Sequence, residues 1–160
     1  MNYEIRRLRP EELGAALALA WEVFLEYEAP DYGPEGVETF RREVLENEAF
    51  QAACRRGENR MWGAFDGAKL VGLFVMRGPA HICLAFTHGS YHRRGIATAI
   101  FHRLLEDLHR ENPEVRRLSL NSSPCGRPFY RHLGFADTEK ERTMDGIRFT
   151  PMACEIGETI

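Results

Sequence analysis

The sequence predicts an α+β protein in which helices flank one mixed, mostly antiparallel sheet. Two Asp-Gly pairs, Asp66-Gly67 and Asp145-Gly146, each lie between apolar segments, and such a pair is a strong β-hairpin signal. Apolar side chains alternate from 81 to 87, which predicts a strand with one buried face. Helical spacing dominates residues 10–54 and 95–110 instead. The resulting order, β-αα-βββ-α-β-α-ββ, favours an α+β fold over a doubly wound one.

Each predicted element has local signals at its ends. Pro10 followed by two glutamates is typical of a helix start, and apolar residues keep the helical spacing to about Glu28. Residues 29–34 contain two prolines and a glycine, so we predict a break there. The predicted elements are a strand at 3–8, helices at 10–28 and 35–54, strands at 61–65, 69–76 and 81–87, a helix at 95–110, a strand at 117–120, a helix at 127–133, and strands at 135–143 and 147–155.

Composition and charge are those of an ordinary globular protein. The 160 residues are 44% hydrophobic with a net charge of −3, so we expect one domain over residues 1–160 and no nucleic-acid or membrane partner. The start of the chain lacks a signal-peptide pattern, and no apolar run approaches the ~20 residues of a membrane span. We therefore expect a cytoplasmic protein. The four cysteines form no CxxC pair, which fits neither a zinc site nor a disulfide framework, and we expect no metal.

A strand, a polar turn and a helix start follow one another from residue 81 to residue 97. The helix begins with the sequence Arg93-Arg94-Gly95-Ile96-Ala97. Free backbone N–H groups and the positive end of the helix dipole bind anions at such a start. Gly95 and Ala97 leave room for a phosphate, and the two arginines add positive charge. Taken alone, this motif leaves open both a phosphate-binding loop and an ordinary strand-to-helix turn.

A second motif, Phe129-Tyr130-Arg131-His132-Leu133-Gly134-Phe135, follows roughly thirty residues later. Together the two motifs resemble the GNAT superfamily of N-acetyltransferases, with its (Gln/Arg)-x-x-Gly-x-(Gly/Ala) acyl-CoA loop and its (Phe/Tyr)-Tyr-x-x-x-Gly-Phe element. The loop departs from the family pattern at its first position, which is His92. Residues 24–32 and 146–152 are also similar to a bacterial GNAT subgroup.

The resemblance implies an acyl-CoA-dependent acyltransferase. It would move the acetyl group of acetyl-CoA directly onto an amine of a small molecule or peptide, through a tetrahedral intermediate. A backbone N–H from residues 86–88 would hold the oxyanion, and a homodimer is the family expectation. The cofactor-binding residues that the resemblance implies are Phe86, Thr87, His88, His92, Arg93, Arg94, Gly95, Ile96, Ala97, Thr98, Ser123 and Phe129.

Two residues are the predicted catalytic pair. Tyr130 falls on the family tyrosine that protonates the coenzyme A sulfur, and a phenol with a pKa near ~10 stays protonated at pH 7. His81 stands eleven positions before His92 and by that count matches base positions of the family, where an imidazole can accept a proton. His88 and a water molecule remain open as alternative bases. For Cys125 we expect no covalent acyl intermediate, because nothing nearby activates the thiol.

Glu28, Asp31 and Tyr32 are the predicted acceptor-binding residues. Acids beside aromatic rings suit a small cationic amine, although a solvated helix end has the same composition. A non-catalytic acyl-CoA-binding regulatory module on the same scaffold is the alternative function. A simple nucleotide- or phosphate-binding protein would not require the motif at residues 129–135. The acceptor, the acyl chain length and the oligomeric state are left open.

Overall fold

The protein consists of one sheet with helices on both of its faces. The computed structural model describes residues 2–157, so residues 1 and 158–160 of the predicted domain lie outside the described residues. The strands are β1 (Glu4–Arg7), β2 (Arg60–Asp66), β3 (Lys69–Arg77), β4 (His81–Thr87), β5 (Arg117–Ser122), β6 (Ala136–Asp137), β7 (Arg142–Met144) and β8 (Ile147–Glu155). The helices are α1 (Leu13–Val23), α2 (Ala29–Phe40), α3 (Glu48–Arg56), α4 (Ile96–Glu111) and α5 (Arg127–Leu133). The α+β prediction is confirmed.

The sheet opens in its middle. Its order is β1-β2-β3-β4-β5-β8-β6, with β7 also paired to β8. All pairings are antiparallel except β4 with β5, which runs parallel and consists only of His81 opposite Ser119 and Ile82 opposite Leu120. Beyond these two pairs the strands separate, so a cleft forms between the second half of β4 and the end of β5.

A β-bulge lies in β4 where this separation begins. Val75 of β3 pairs with Leu84, whereas the next residue, Met76, pairs with Ile82. Cys83 is therefore an extra residue without a partner on β3. Bulges bend a strand and increase its twist, and they are common next to active sites.

Two hydrophobic cores hold the sheet between the helices. On one face, α1 buries Leu13, Leu19 and Val23 against β3 and β4. On the other face, α4 buries Ile100 and Leu104, which are fully inaccessible to solvent, against β2 and β3. Within residues 2–157, no helix has the length and apolarity needed to cross a membrane.

The helical region before β2 differs from the two predicted helices. The predicted break at 29–34 is confirmed at Gly33, whose non-helical backbone, with a φ of 74°, kinks α2 and separates its two parts. The first helical segment nevertheless extends beyond its predicted end, because a π-helical turn, Phe24–Glu28, leads directly into the first residues of α2. Pro30 lies at the start of α2, and Pro34 directly follows the kink. A second π-helical turn, Arg41–Leu45, follows α2.

Residues 35–54 are not one helix either. They contain the end of α2, the second π-helical turn and most of α3. The new start is fixed by Asn47, whose side-chain oxygen accepts a hydrogen bond from the Phe50 N–H at 2.9 Å. Asparagine is among the best N-cap residues, so the signal for this third helix was present in the sequence.

The predicted strand at 135–143 is two short strands. β6 pairs with Met152 and Ala153 of β8, and β7 pairs with the other end of β8, at residues 147–149. Residues 139–141, which are Glu-Lys-Glu, lie exposed between them. Charged side chains in succession have no apolar face to place on the sheet, and the strand is interrupted there. The observed order is thus β-ααα-βββ-α-β-α-βββ.

Candidate active site

Two cavities meet in the cleft between β4 and β5. The larger has a volume of about 730 Å³ and lies toward the start of α4. The smaller, of about 310 Å³, lies toward α2 and the β7–β8 hairpin. The residues that line both cavities are Glu28, Ala85, Phe86, Ser123 and Tyr130. Chemistry between one ligand in each cavity would therefore take place at these five residues.

Most of the predicted cofactor-binding residues line the larger cavity. The loop before α4 is shaped by left-handed backbone at Arg93, with a φ of 63°, and at Gly95, with a φ of 75°. Gly95 is the residue that precedes the first helical turn, whose N–H groups have no helical acceptor. The predicted residues found in the lining are Phe86, Thr87, His92, Arg93, Gly95, Ile96, Ala97, Thr98, Ser123 and Phe129.

His88 and Arg94, from the same predicted set, line neither cavity. The His88 N–H donates to the Val71 carbonyl at 2.8 Å, and its ring lies 3.2 Å from the Glu22 carboxylate. The Arg94 guanidinium donates to the Tyr3 hydroxyl at 3.2 Å and lies over the Tyr91 ring. Both side chains hold the loop to neighbouring elements, which explains why they turn away from the cleft.

The pairing of β4 with β3 shows which backbone N–H groups of β4 point toward the cleft, where the oxyanion donor was predicted from residues 86–88. In an antiparallel ladder the N–H groups point alternately to the two sides of a strand. Since the His88 N–H is bonded to β3, the N–H groups of Thr87 and Ala85 point to the other side, where β5 has separated. These two N–H groups face the cleft.

Tyr130 is positioned from α5 at the junction of the two cavities. Its ring contacts those of Phe129 and Phe135 edge-on, at centroid distances of 5.5 and 6.0 Å. Gly126 lets it approach, because a Cβ there would come within 2.9 Å of the ring. Burial raises the pKa of the Tyr130 hydroxyl, and the negative charge of Glu28 adds to the rise. The hydroxyl therefore stays protonated and able to donate at neutral pH.

Glu28 is the acidic group at the same junction. It is the last residue of the first π-helical turn, and it lines both cavities. Burial raises its pKa to about 7, opposed by a hydrogen bond from Tyr32 and reinforced by the Asp31 charge. A carboxyl with a pKa near the working pH is suited to general acid–base chemistry. From the sequence, Glu28 was predicted only as an acceptor-binding residue.

The predicted base His81 lies outside the cleft. It begins β4, its Nδ1 is 2.8 Å from the Ser119 hydroxyl, and it lines neither cavity. Burial lowers the pKa of its imidazole. Asp31 also lies outside both linings, whereas Tyr32 lines the smaller cavity. The placement gives His81 a structural partner and no contact with the junction.

The smaller cavity is closed by contacts between α2 and the β7–β8 hairpin turn. The Thr39 hydroxyl donates to the Asp145 carbonyl at 2.6 Å. A Cβ on Gly36 would lie 2.6 Å from the carbonyl oxygen of Gly146, so glycine is needed for this approach. Glu43 and Asp145 also line the cavity, and neither was among the predicted site residues. Asp145 was interpreted only as part of a hairpin turn.

Ser123 and Cys125 lie together at the end of β5. The Ser123 hydroxyl accepts a hydrogen bond from the Gly126 N–H at 3.3 Å and lies 3.4 Å from the Cys125 sulfur. Burial raises the pKa of the Cys125 thiol, which disfavours the nucleophilic thiolate. In the portion of the chain that is described, no group of three or more His, Cys, Asp or Glu side chains could hold a metal ion.

Known structures share this fold. A GCN5-related N-acetyltransferase from Rhodopseudomonas palustris superposes with a TM-score of 0.78 at 19% identity, over 98% of this chain and 97% of that one. The PaiA N-acetyltransferase from Thermoplasma acidophilum, solved in complex with coenzyme A, gives 0.76 at 21% identity, over 97% and 99%. The ribosomal-protein-S18-alanine N-acetyltransferase from Escherichia coli gives 0.62 at 18% identity, over 99% and 96%.

The sequence comparisons give the family. Among curated proteins no match was found. A family model described as an acetyltransferase (GNAT) domain matches residues 28–156, which include both cavities' shared residues. The chain belongs to the GNAT acetyltransferase family.

Proposed function

We propose that the protein is an N-acetyltransferase that moves the acetyl group of acetyl-CoA directly onto an amine, with Tyr130 as general acid and Glu28 as general base. The observation that carries this proposal is the position of these two side chains. They are the titratable groups that line both cavities. A donor in the larger cavity and an acceptor in the smaller one would both reach them.

The larger cavity has the features that acetyl-CoA requires. The free N–H groups at the start of α4 and the Arg93 charge fit the pyrophosphate, and Gly95 leaves the approach open. The separated strands leave a cleft into which the pantetheine arm can extend. The Thermoplasma acidophilum relative of the same fold was solved with coenzyme A, which supports this assignment. Acetyl-CoA supplies a thioester carbonyl and a thiol leaving group.

The proton transfers balance across the junction. As the amine nitrogen bonds to the acetyl carbon, the Glu28 carboxylate accepts the proton that the nitrogen loses. The carbon–sulfur bond breaks, and the Tyr130 hydroxyl donates its proton to the departing sulfur. The N–H groups of Ala85 and Thr87 hold the carbonyl oxygen while it is negative. The products are an amide and free coenzyme A, and proton exchange with water restores both side chains.

Glu28 is preferred over the histidines because of its position. His81 is bonded to Ser119 and His88 lies beside Glu22, and both are outside the linings of the two cavities. Glu28 lines both. Its pKa of about 7 leaves a large fraction of carboxylate at neutral pH while keeping it a stronger base than an ordinary glutamate.

The test is a thiol-release assay with acetyl-CoA and a panel of amines, followed from pH 5 to 9 for the wild type and for Glu28→Gln and His81→Gln. We expect amine-dependent release whose kcat/KM rises with an apparent pKa of about 7, and a loss of about a hundredfold or more in Glu28→Gln. A larger loss in His81→Gln than in Glu28→Gln would overturn the base assignment. Tight acetyl-CoA binding without release for any amine would replace the enzyme with the regulatory module.

A further inference from the structure

We infer that the acceptor is a small linear diamine, one amine of which reacts at Glu28 while the other binds, as an ammonium group, at Glu43 and Asp145. The inference rests on the proposed function and specifies its acceptor. It comes from three properties of the smaller cavity: the sign of its charges, where those charges lie, and the side chains between them.

Every charged side chain in the lining of the smaller cavity is acidic. These residues are Glu28, Glu43 and Asp145, and no lysine or arginine of residues 2–157 joins them. The ion pairs of the described residues involve none of the three carboxylates. Arg148 interacts electrostatically with Tyr32 of the cavity lining, and its guanidinium is bonded to the Glu141 carboxylate at 3.0 Å. The cavity therefore has a negative potential that a cationic ligand would neutralise.

The three carboxylates lie at two ends of the cavity. Glu28 also lines the larger cavity, which places it at the reacting end, whereas Glu43 and Asp145 line only the smaller one and are exposed. Thr39 binds the Asp145 carbonyl, and Glu43 lies about one helical turn after Thr39, on the same side. This bond holds the Asp145 turn beside the helix that leads to Glu43, and we take these two acids, which line the smaller cavity away from the junction, as its mouth.

Aromatic and aliphatic side chains separate the two acidic ends. Phe40 stacks on Phe24 at a centroid distance of 4.0 Å and meets Phe86 edge-on at 6.0 Å. All three line the cavity, as do Tyr32 and Phe149. Such walls suit a methylene chain, and their faces attract ammonium groups. At about 310 Å³ the cavity is at the small end of ligand pockets, which favours a free small molecule over a polypeptide.

The experiment compares acceptors that differ only in the group at the far end. Putrescine carries a second ammonium group there, butylamine a methyl group and γ-aminobutyrate a carboxylate. We expect kcat/KM for putrescine to exceed that for butylamine by about tenfold or more, as one charge-assisted contact would give. We expect γ-aminobutyrate to be the poorest of the three, because its carboxylate meets two acids.

The matched variants test whether the mouth acids cause the preference. In the double variant Glu43→Gln/Asp145→Asn, the putrescine-to-butylamine ratio should fall to about one. Asparagine is chosen because Asp145 has a φ of 52°, which asparagine tolerates. Glu46→Gln removes an exposed acid that lines neither cavity and should keep the wild-type ratio. Thermal unfolding of each variant checks that it is folded.

The outcomes separate this inference from the proposed function. Equal kcat/KM for putrescine and butylamine, or an unchanged ratio in the double variant, would overturn the diamine assignment and leave the acetyltransferase standing. Higher kcat/KM for the N-terminal amine of a peptide would replace the diamine with a polypeptide acceptor. No release with any amine, despite acetyl-CoA binding, would instead refute the proposed function.

Discussion

The two cavities of this protein are built in different ways. The larger cavity is shaped by backbone: a strand that has lost its neighbour, a left-handed glycine and the first N–H groups of α4. The smaller cavity is shaped by side chains on two π-helical turns and by one hairpin turn docked on α2. Backbone groups bind the same ligand whatever the side chains are, whereas side-chain walls change with each substitution. This contrast would account for a donor that is common to the family and an acceptor that is specific to this protein.

The two cavities also differ in charge. Arg93 lines the larger cavity, whereas the charged side chains of the smaller cavity's lining are acidic. Glu28 is the charged residue common to both. An anionic donor and a cationic acceptor would therefore each be attracted to its own side. Substitutions on the two sides and at the junction should therefore differ in effect, with the largest loss at the junction and the smallest at the loop arginines.

The largest effect is expected at the junction. Tyr130→Phe keeps the ring that packs on Phe129 and Phe135 and removes the donor, so kcat should fall by about 10²- to 10⁴-fold. The dissociation constant for acetyl-CoA should stay within about twofold, because backbone groups dominate that site. Single-turnover acetyl transfer and isothermal titration measure the two quantities. A kcat loss below tenfold would remove Tyr130 from the role of general acid.

Glu28 should also make stability depend on pH. Its pKa is raised from 4.5 to about 7 in the folded state, so the folded protein holds this proton more tightly than the unfolded chain does. The stabilisation is thus present below about pH 4.5 and is lost as the pH rises to about 7. Relative to Glu28→Gln, the wild-type free energy of unfolding should fall by roughly 3 kcal/mol at most across that window. Urea unfolding of both proteins at pH 4.5, 6 and 7.5 measures the difference. A constant difference would contradict the raised pKa.

The docking of α2 on the hairpin should break when its close approach is blocked. Gly36→Ala would place a Cβ 2.6 Å from the Gly146 carbonyl oxygen, so we expect a loss of about 1–3 kcal/mol in unfolding free energy and a higher acceptor KM. Gly14→Ala is the control, because a Cβ there meets nothing within 4 Å and should stabilise α1 by up to about 1 kcal/mol. Equal effects of the two changes would show that the approach is not tight.

The same contrast explains what the sequence could predict. The predicted strand at 81–87 and the predicted helix at 127–133 agree with β4 and α5 residue for residue. Both are defined by local signals: apolar and other side chains alternate along the strand, and Gly134 ends the helix. The loop at residues 92–98 was assigned to the cofactor because it resembles the family's acyl-CoA loop, and His92, Arg93 and Gly95 line the larger cavity.

The direction in which individual side chains point could not be predicted from the sequence. Arg93 and Arg94 are adjacent and identical in type, yet of the two only Arg93 lines the larger cavity. Arg94 is bonded instead to the hydroxyl of Tyr3, which lies near the start of the chain. The proposed role of Glu28 depends on a π-helical turn and on burial by distant elements. His81 was selected by counting from His92, and counting does not show that its ring turns to Ser119.

The smallest effect should separate those two arginines. Arg93→Gln removes a charge at the larger cavity while keeping a residue of similar length at its left-handed backbone position. We expect the dissociation constant for acetyl-CoA to rise by about two- to fivefold, as for an exposed charge pair of 0.2–1 kcal/mol, and the rise to shrink in high salt. Arg94→Gln removes the same charge one residue away, from a side chain bonded to Tyr3, and should leave the constant unchanged. If both variants weakened binding equally, the attraction would come from the summed charge of the loop, and the assignment of Arg93 as the contact residue would be wrong.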